Sequence, residues 1–77
     1  MSRITLISAK NMIQLIKTLG FEENRQKGSH ILFKHKDGRS ALVPYHGNKD
    51  LKRGTMISIL KDIEITANEY EELRKKL

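Results

Sequence analysis

The first quarter of the chain has apolar residues at helical spacing. Ser8 precedes them and can cap a helix, because its hydroxyl can accept a bond from a free backbone N–H of the first turn. Ile7 and Met12 have the spacing of a hydrophobic staple, and Gly20 stands where a left-handed residue favours the end of a helix. The apolar stripe consists of Ala9, Met12, Ile13, Ile16 and Leu19. The pattern predicts a first helix over Ala9–Leu19 that packs this stripe into the core.

The middle of the chain changes to extended segments. Phe21–Gln26 is a weak, polar strand candidate, whereas Ser29–Lys36 and Arg39–Tyr45 are stronger ones. Asp37-Gly38 separates the last two, and a pair of this type between extended segments is a strong signal for a hairpin. We therefore predict a small antiparallel sheet of three strands.

The predicted hairpin has a definite register. A two-residue turn at Asp37-Gly38 pairs Lys36 with Arg39, so that His30 faces Tyr45 across the strands. One face of the hairpin then carries Ile31, Phe33, His35, Ser40, Leu42 and Pro44. The other carries His30, Leu32, Lys34, Ala41, Val43 and Tyr45. Neither face is purely polar, so the pattern leaves open which one the helices cover.

Two helices are predicted after a polar loop over His46–Arg53. The first runs over Arg53–Ile63, with apolar residues at Met56, Ile57, Ile59, Leu60 and Ile63. The second begins at Thr66, which forms a capping box with Glu69. The predicted fold class is thus α+β, in the order α-β-β-β-α with an extra C-terminal helix.

Length and composition bound the kind of protein. Seventy-seven residues give room for one domain, which we expect to span 1–77. The chain has no cysteine, which excludes disulfides and thiolate metal sites. It has no apolar run of about 20 residues, as a membrane span needs, and no signal-peptide pattern over Met1–Leu6. We expect a soluble, cytoplasmic protein without membrane contact.

The positive charge is concentrated in the middle of the chain. The net charge is +6, and Arg25–Arg53 alone holds eight basic residues against two acidic ones. Clustered positive charge favours a polyanion such as RNA, through phosphate contacts and counterion release. The alternative is a solvated basic face that serves solubility.

His30 is the main candidate for chemistry. Histidine is the side chain best suited to proton transfer near neutral pH. Gly28, two residues before it, lets the backbone approach a ligand closely. The nearby positive side chains are Arg25, Lys27 and Lys34, and the expected cross-strand neighbour is Tyr45. This setting suits acid–base work on a phosphodiester, although spacing alone leaves open an idle strand histidine.

Other site types fit the pattern less well. In the expected register His30 and His46 lie on opposite faces, and His35 lies far along the strand, so a shared metal ion is not expected. Ser29 as a nucleophile would need a base beside it, but adjacent strand residues point to opposite faces. No glycine-rich phosphate loop is present.

An ordered series of short motifs runs through nearly the whole chain, from about Ser8 to Glu69. It comprises Gly20-Phe21, the stretch Arg25–His30, Asp37-Gly38, the stretch Val43–Gly47, then Lys49, Leu51 and Lys52, Gly54-Thr55 and Ile59-Leu60. The series resembles the HicA family of toxins from toxin–antitoxin modules. Two positions depart from the family pattern: no proline comes shortly before Gly54, and Glu64 stands where relatives often have glycine.

The resemblance implies a fold, an activity and partners. The fold is a small α-β-β-β-α domain like the double-stranded-RNA-binding domain. The activity is cleavage of messenger RNA, with the histidine of a Gly-Ser-His motif, here His30, as the catalytic residue. The implied partners are messenger RNA and a HicB-type antitoxin that neutralises the toxin, in a toxin–antitoxin complex that can be of higher order.

We accordingly expect an endoribonuclease that needs no metal and no cofactor. His30 acts as general acid or base while a ribose 2′-hydroxyl attacks the neighbouring phosphate. The expected RNA-binding residues are Arg25, Lys27, Gly28, Ser29, Lys34 and Tyr45. The sequence is also compatible with two alternatives: a non-catalytic module that binds structured RNA, and a domain that docks an acidic protein.

Overall fold

The order of helices and strands agrees with the prediction. The computed structural model describes residues 4–46 and 49–77. Its elements are α1 (Ala9–Thr18), β1 (Glu22–Lys27), β2 (His30–Lys34), β3 (Ser40–Pro44), α2 (Arg53–Asp62) and α3 (Ala67–Arg74). This confirms the α+β class, the α-β-β-β-α order and the extra C-terminal helix. The strands β2 and β3 are shorter than predicted, by one or two residues at each end.

Local signals define both ends of α1. The Ser8 hydroxyl accepts a hydrogen bond from the Asn11 N–H at 3.2 Å. At the other end Gly20 has a φ of +98°. The N–H groups of Gly20 and Phe21 donate to the carbonyls of Lys17 and Ile16, which is the Schellman arrangement that closes a helix. The buried side chains of α1 are Ala9, Met12, Leu15 and Ile16, so Leu15 joins the predicted stripe.

The three strands form an antiparallel sheet in the order β1-β2-β3. Ile31 and Phe33 of β2 are buried, and so are Ala41 and Val43 of β3. These side chains pack with the helices into one core, and both α1 and α2 contact β3. Among the described residues, none covers the opposite face of the sheet, where His30 and Leu42 are exposed.

The predicted register of the second hairpin is wrong by one residue. In the structure His30 pairs with Pro44 and Leu32 with Leu42, not with Tyr45 and Val43. The loop has three residues, because the His35 N–H donates to the Arg39 carbonyl and the Gly38 N–H to the His35 carbonyl. Gly38 alone in this loop has a positive φ, +101°, as in a type I turn followed by a left-handed residue. The shift turns Ala41 and Val43 towards the helices and Leu42 towards solvent.

Tertiary contacts hold this longer loop in place. The His35 Nε2 lies 3.0 Å from the Leu19 carbonyl at the end of α1, while its Nδ1 accepts the Asp37 N–H at 3.1 Å. The Arg39 guanidinium donates to the Ile63 carbonyl at the end of α2 and to the Asp37 carboxylate. The Arg39 N–H, donating to the Asp37 carboxylate, contributes most to lowering the pKa of that group. The hairpin end is thus tied to the ends of two helices.

Helix α3 holds the N-terminal segment of the described chain. The predicted capping box between Thr66 and Glu69 is present. Tyr70 is fully buried, its hydroxyl donates to the Thr5 carbonyl, and burial raises its pKa to about 12. The Glu71 carboxylate accepts bonds from the Thr5 N–H and hydroxyl. These contacts fasten the segment before α1 to the last helix.

Candidate nucleic-acid interface

The uncovered face of the sheet, here called the open face, carries nine side chains in three rows across the strands. The row beside the β1–β2 turn consists of Lys27, His30 and Pro44. The middle row consists of Arg25, Leu32 and Leu42, and the far row of Glu22, Lys34 and Ser40. A bulge at Asn24 shifts the register of β1, which places Glu22 on this face and Glu23 on the other. On this face β1 therefore carries two cations, Arg25 and Lys27, with Glu22 in the far row, and the apolar groups Leu42 and Pro44 lie on β3.

The turn between β1 and β2 brings His30 next to a cation. Gly28 and Ser29 form a two-residue turn, with Gly28 at a φ of +60°, the value for the first central position of a type II′ turn. Such a turn pairs the flanking residues directly, so Lys27 and His30 are ladder partners on the same face. The Cβ atoms of such partners lie about 5 Å apart. The turn thus places the side chains of Lys27 and His30 next to each other on one face.

His30 lies in a shallow depression of about 660 Å³, here called the His30 groove. The residues that line it are Arg25, Lys27, Gly28, Ser29, His30, Leu32 and Leu42. Five of these seven belong to the predicted site, and none of the seven is acidic. His30 itself is exposed. The groove can therefore present a solvent-accessible proton-transfer group to an anion held by Arg25 and Lys27.

Two of the predicted site residues lie outside the groove. Lys34 is exposed on the open face, but two rows away from His30. The Tyr45 N–H donates to the Ser29 carbonyl at 2.6 Å, which sets Tyr45 opposite Ser29 rather than His30. Pro44 takes the expected position of Tyr45 beside the histidine. Tyr45 is 38% exposed at the end of β3, so it borders the site without lining it.

Sequence reasoning missed the two leucines of the groove. Leu42 was expected on the face of Ile31 and Phe33, but it is 47% exposed on the open face beside its partner Leu32. The alternation along β3 could have indicated them. With a three-residue loop Ala41 and Val43 face the core, and Leu42 between them then lies on the open face beside Leu32. Recognising it requires the loop length, which depends on His35 and Arg39.

A second depression, here called the His46 groove, adjoins the open face at Pro44. It has a volume of about 640 Å³ and is lined by Pro44, His46, Lys49, Asp50, Leu51, Lys52 and Thr55. Four of the eight basic residues of Arg25–Arg53 thus line one or the other of two neighbouring depressions. Arg39 belongs to neither, because its guanidinium is bonded to Asp37 and Ile63.

A family model described as the HicA toxin of bacterial toxin-antitoxin matches residues 9–65, which is more than half of the chain. The chain belongs to the HicA toxin family. The match spans α1, the whole sheet and α2, and it includes every residue of both grooves. Helix α3 and the segment that it fastens lie beyond it.

Membership places the protein in a toxin–antitoxin system, which implies an antitoxin partner in general terms. A comparison with curated proteins gives no match. Within residues 4–46 and 49–77, no group of three or more His, Cys, Asp or Glu side chains could hold a metal ion. None of the helices in that part of the chain is long and apolar enough to cross a membrane.

Proposed function

We propose that this HicA family toxin is an endoribonuclease that cleaves messenger RNA, with His30 as the catalytic residue. The observation that carries the proposal is the position of His30, which is exposed in a groove beside Lys27 and Arg25. A phosphodiester bound to the two cations would lie against the exposed imidazole of His30. Acid–base cleavage of RNA needs these groups in this proximity.

In the proposed reaction the nucleophile is the 2′-hydroxyl of the RNA itself. The ribose oxygen attacks the adjacent phosphorus, the bond to the 5′-oxygen of the next nucleotide breaks, and a 2′,3′-cyclic phosphate and a free 5′-hydroxyl result. Neutral His30 can accept the proton of the attacking hydroxyl, and protonated His30 can give one to the leaving oxygen. Lys27 and Arg25 stabilise the extra negative charge on the phosphate oxygens. No metal or cofactor takes part in this scheme.

The remaining site residues position the RNA. Gly28 and Ser29 form the turn at the rim of the groove, where the absence of a side chain at Gly28 lets a phosphate approach the backbone. Lys34 extends the positive charge along the open face, and Tyr45 borders the groove at the end of β3. These residues would contact nucleotides on either side of the cleaved bond.

Control of the toxin is the second part of the proposal. A HicB-type antitoxin would neutralise the protein by covering the open face and His30, in a complex that can be of higher order. A toxin that cuts messenger RNA acts where translation takes place, which implies the cytoplasm. The antitoxin and the RNA would then compete for one basic surface.

The test compares two histidines. Purified protein and its His30→Ala and His46→Ala variants are incubated with RNA and a chelator, and the new ends are mapped. His46 is exposed and lies outside the His30 groove, so it is the matched control. We expect cyclic phosphate ends from the unmodified protein and from His46→Ala, and a loss of about 10²–10⁴-fold in His30→Ala. Equal cleavage by His30→Ala, or loss of all cleavage in the chelator, would contradict the mechanism.

The main alternative is a module that binds RNA without cutting it. The apolar and basic lining of the groove favours RNA binding whether or not the histidine transfers protons. In that case His30→Ala would leave RNA affinity and the arrest of growth on expression unchanged. Growth arrest that depends on His30 therefore separates the two.

A further inference from the structure

We infer that Leu32 and Leu42 form a platform for one unpaired nucleobase, next to the phosphate at which His30 transfers a proton. The inference rests on the proposed function, because it takes RNA as the ligand of the His30 groove.

The exposure of the two leucines is the first observation. They are ladder partners on the open face, and Leu42 is 47% exposed while Leu32 is half-buried. The core does not need them, since Ile31, Phe33, Ala41 and Val43 fill the helix side of the same strands. A solvated face of an antiparallel sheet is ordinarily polar, and adjoining exposed apolar side chains indicate a binding surface.

The distribution of charge around the leucines indicates what binds there. Arg25 is the ladder partner of Leu32, so one row runs from a cation on β1 to an apolar group on β3. The neighbouring row runs in the same direction, from Lys27 through His30 to Pro44. The distance from β1 to β3 is two strand spacings, about 10 Å. A nucleotide has this polarity and this scale, with an anionic phosphate at one end and a flat, weakly polar base at the other.

The orientation of the nucleotide follows. Its phosphate lies against Arg25 and Lys27, its base covers Leu32 and Leu42, and its ribose lies beside His30, where the 2′-hydroxyl reacts. A base inside a duplex has both faces stacked on its neighbours and cannot cover the leucines. The platform therefore selects RNA that is single-stranded at the cleaved position, since unpaired bases are the ones that side chains can stack upon.

The test measures binding separately from cleavage. A short fluorescent RNA oligonucleotide with 2′-O-methyl groups cannot be cleaved, because it lacks the 2′-hydroxyl that attacks the phosphorus. Its binding is measured by fluorescence anisotropy, once as a single strand and once as a duplex. Leu42→Thr keeps a strand-forming residue but removes most of the apolar surface. Ile57→Thr is the matched control, because Ile57 is 44% exposed on α2, away from the open face.

We expect Leu42→Thr to weaken binding of the single strand about tenfold. Duplex binding, which depends on phosphate contacts, should be unchanged in this variant, and Ile57→Thr should stay within about twofold for both ligands. Leu42→Phe should strengthen single-strand binding several-fold, since an aromatic ring is a better surface for a base. A gain in this variant cannot result from failure to fold.

The outcomes separate this inference from the proposed function. Cleavage by the unmodified protein together with unchanged single-strand binding by Leu42→Thr would overturn the platform and leave the nuclease intact. Loss of binding in Leu42→Thr without any cleavage by the unmodified protein would overturn the nuclease and support the platform. If Leu42→Thr binds RNA unchanged but binds the antitoxin more weakly, the leucines belong to the protein interface and the inference is overturned. An unmodified protein that binds neither the single strand nor the duplex would also overturn it.

Discussion

At the residue scale, Glu64 has a backbone conformation that suits glycine. Its φ is +60°, directly after the C-cap of α2 at Ile63. The N–H groups of Glu64 and Ile65 donate to the carbonyls of Lys61 and Leu60, which again is the Schellman arrangement. The Glu64 side chain is exposed, so strain from its Cβ is not offset by burial. This is one of the two positions where the sequence departs from the pattern that its family resemblance implies.

Glu64→Gly should therefore stabilise the protein. We expect the free energy of unfolding to rise by roughly 0.5–1 kcal/mol, because relief of left-handed strain exceeds the entropic cost of glycine. Urea denaturation measures the change. Glu72→Gly is the matched control: Glu72 is exposed within α3, where glycine should lower the free energy of unfolding by about 1 kcal/mol. A loss of stability in both variants would contradict the role of the left-handed conformation.

At the scale of elements, α3 and the segment before α1 depend on each other. The contacts between them are carried by Tyr70 and Glu71, which bond the backbone of Thr5. The Thr5 N–H, donating to the Glu71 carboxylate, contributes most to lowering the pKa of that group. The Thr66 N–H lowers the pKa of Glu69 in the capping box in the same way. The hydrogen bonds of the folded state thus favour the ionised form of both carboxylates over the protonated form.

These shifts predict loss of stability in acid. A carboxylate with a lowered folded pKa contributes stability above its ordinary value of 4.5, and the contribution disappears as the pH falls through the lowered pKa. Denaturation midpoints measured between about pH 6 and pH 2 should fall with the pH, and Glu71→Gln should reduce the slope. Glu72→Gln is the control, since that carboxylate only approaches Lys75 at 4.0 Å. Equal slopes in the two variants would show that the contact with Thr5 does not couple to folding.

At the scale of the whole molecule, the basic residues of Arg25–Arg53 have different roles, because some line the surface and one is bonded within the fold. Arg25, Lys27 and Lys34 share the open face, and Lys49 and Lys52 line the neighbouring His46 groove. Arg39 is bonded internally and serves the fold. The positive charge of the open face predicts that RNA follows a path along β1, past Lys27 and Arg25.

Salt dependence of RNA binding checks this division. The logarithm of the affinity for single-stranded RNA should fall linearly with the logarithm of salt concentration, and each lost phosphate contact reduces the slope by about 0.7. Lys27→Gln and Arg25→Gln should each produce this change. Lys61→Gln removes the same charge from the last turn of α2, outside both grooves, and should leave the slope unaltered. If the slope fell equally in all three variants, net charge alone would account for RNA binding.

Much of the fold could be predicted because its signals are local. Ser8, Gly20 and the Thr66–Glu69 capping box act within a few residues of the helix ends that they define. The motif from Arg25 to His30 is local as well, since a two-residue turn brings its cations and its histidine to one face. Five of the seven residues that line the His30 groove were accordingly expected from the sequence.

The hairpin register could not be predicted in this way. Asp37-Gly38 is compatible with loops of two or three residues, and the choice reverses the face of every residue in β3. The three-residue loop is the one that brings His35 to the Leu19 carbonyl and Arg39 to the Ile63 carbonyl. Both partners lie far away in the sequence, so no local pattern contains them.

The sequence by itself therefore determined the order of the elements, their caps and the place of His30 within a basic turn, because each depends on neighbours in the chain. Only the tertiary structure decided which apolar side chains accompany His30. Contacts with the ends of α1 and α2 favour a register in which Ala41 and Val43 fill the core. The same register turns Leu42 out beside Leu32, and this gives the groove its apolar floor.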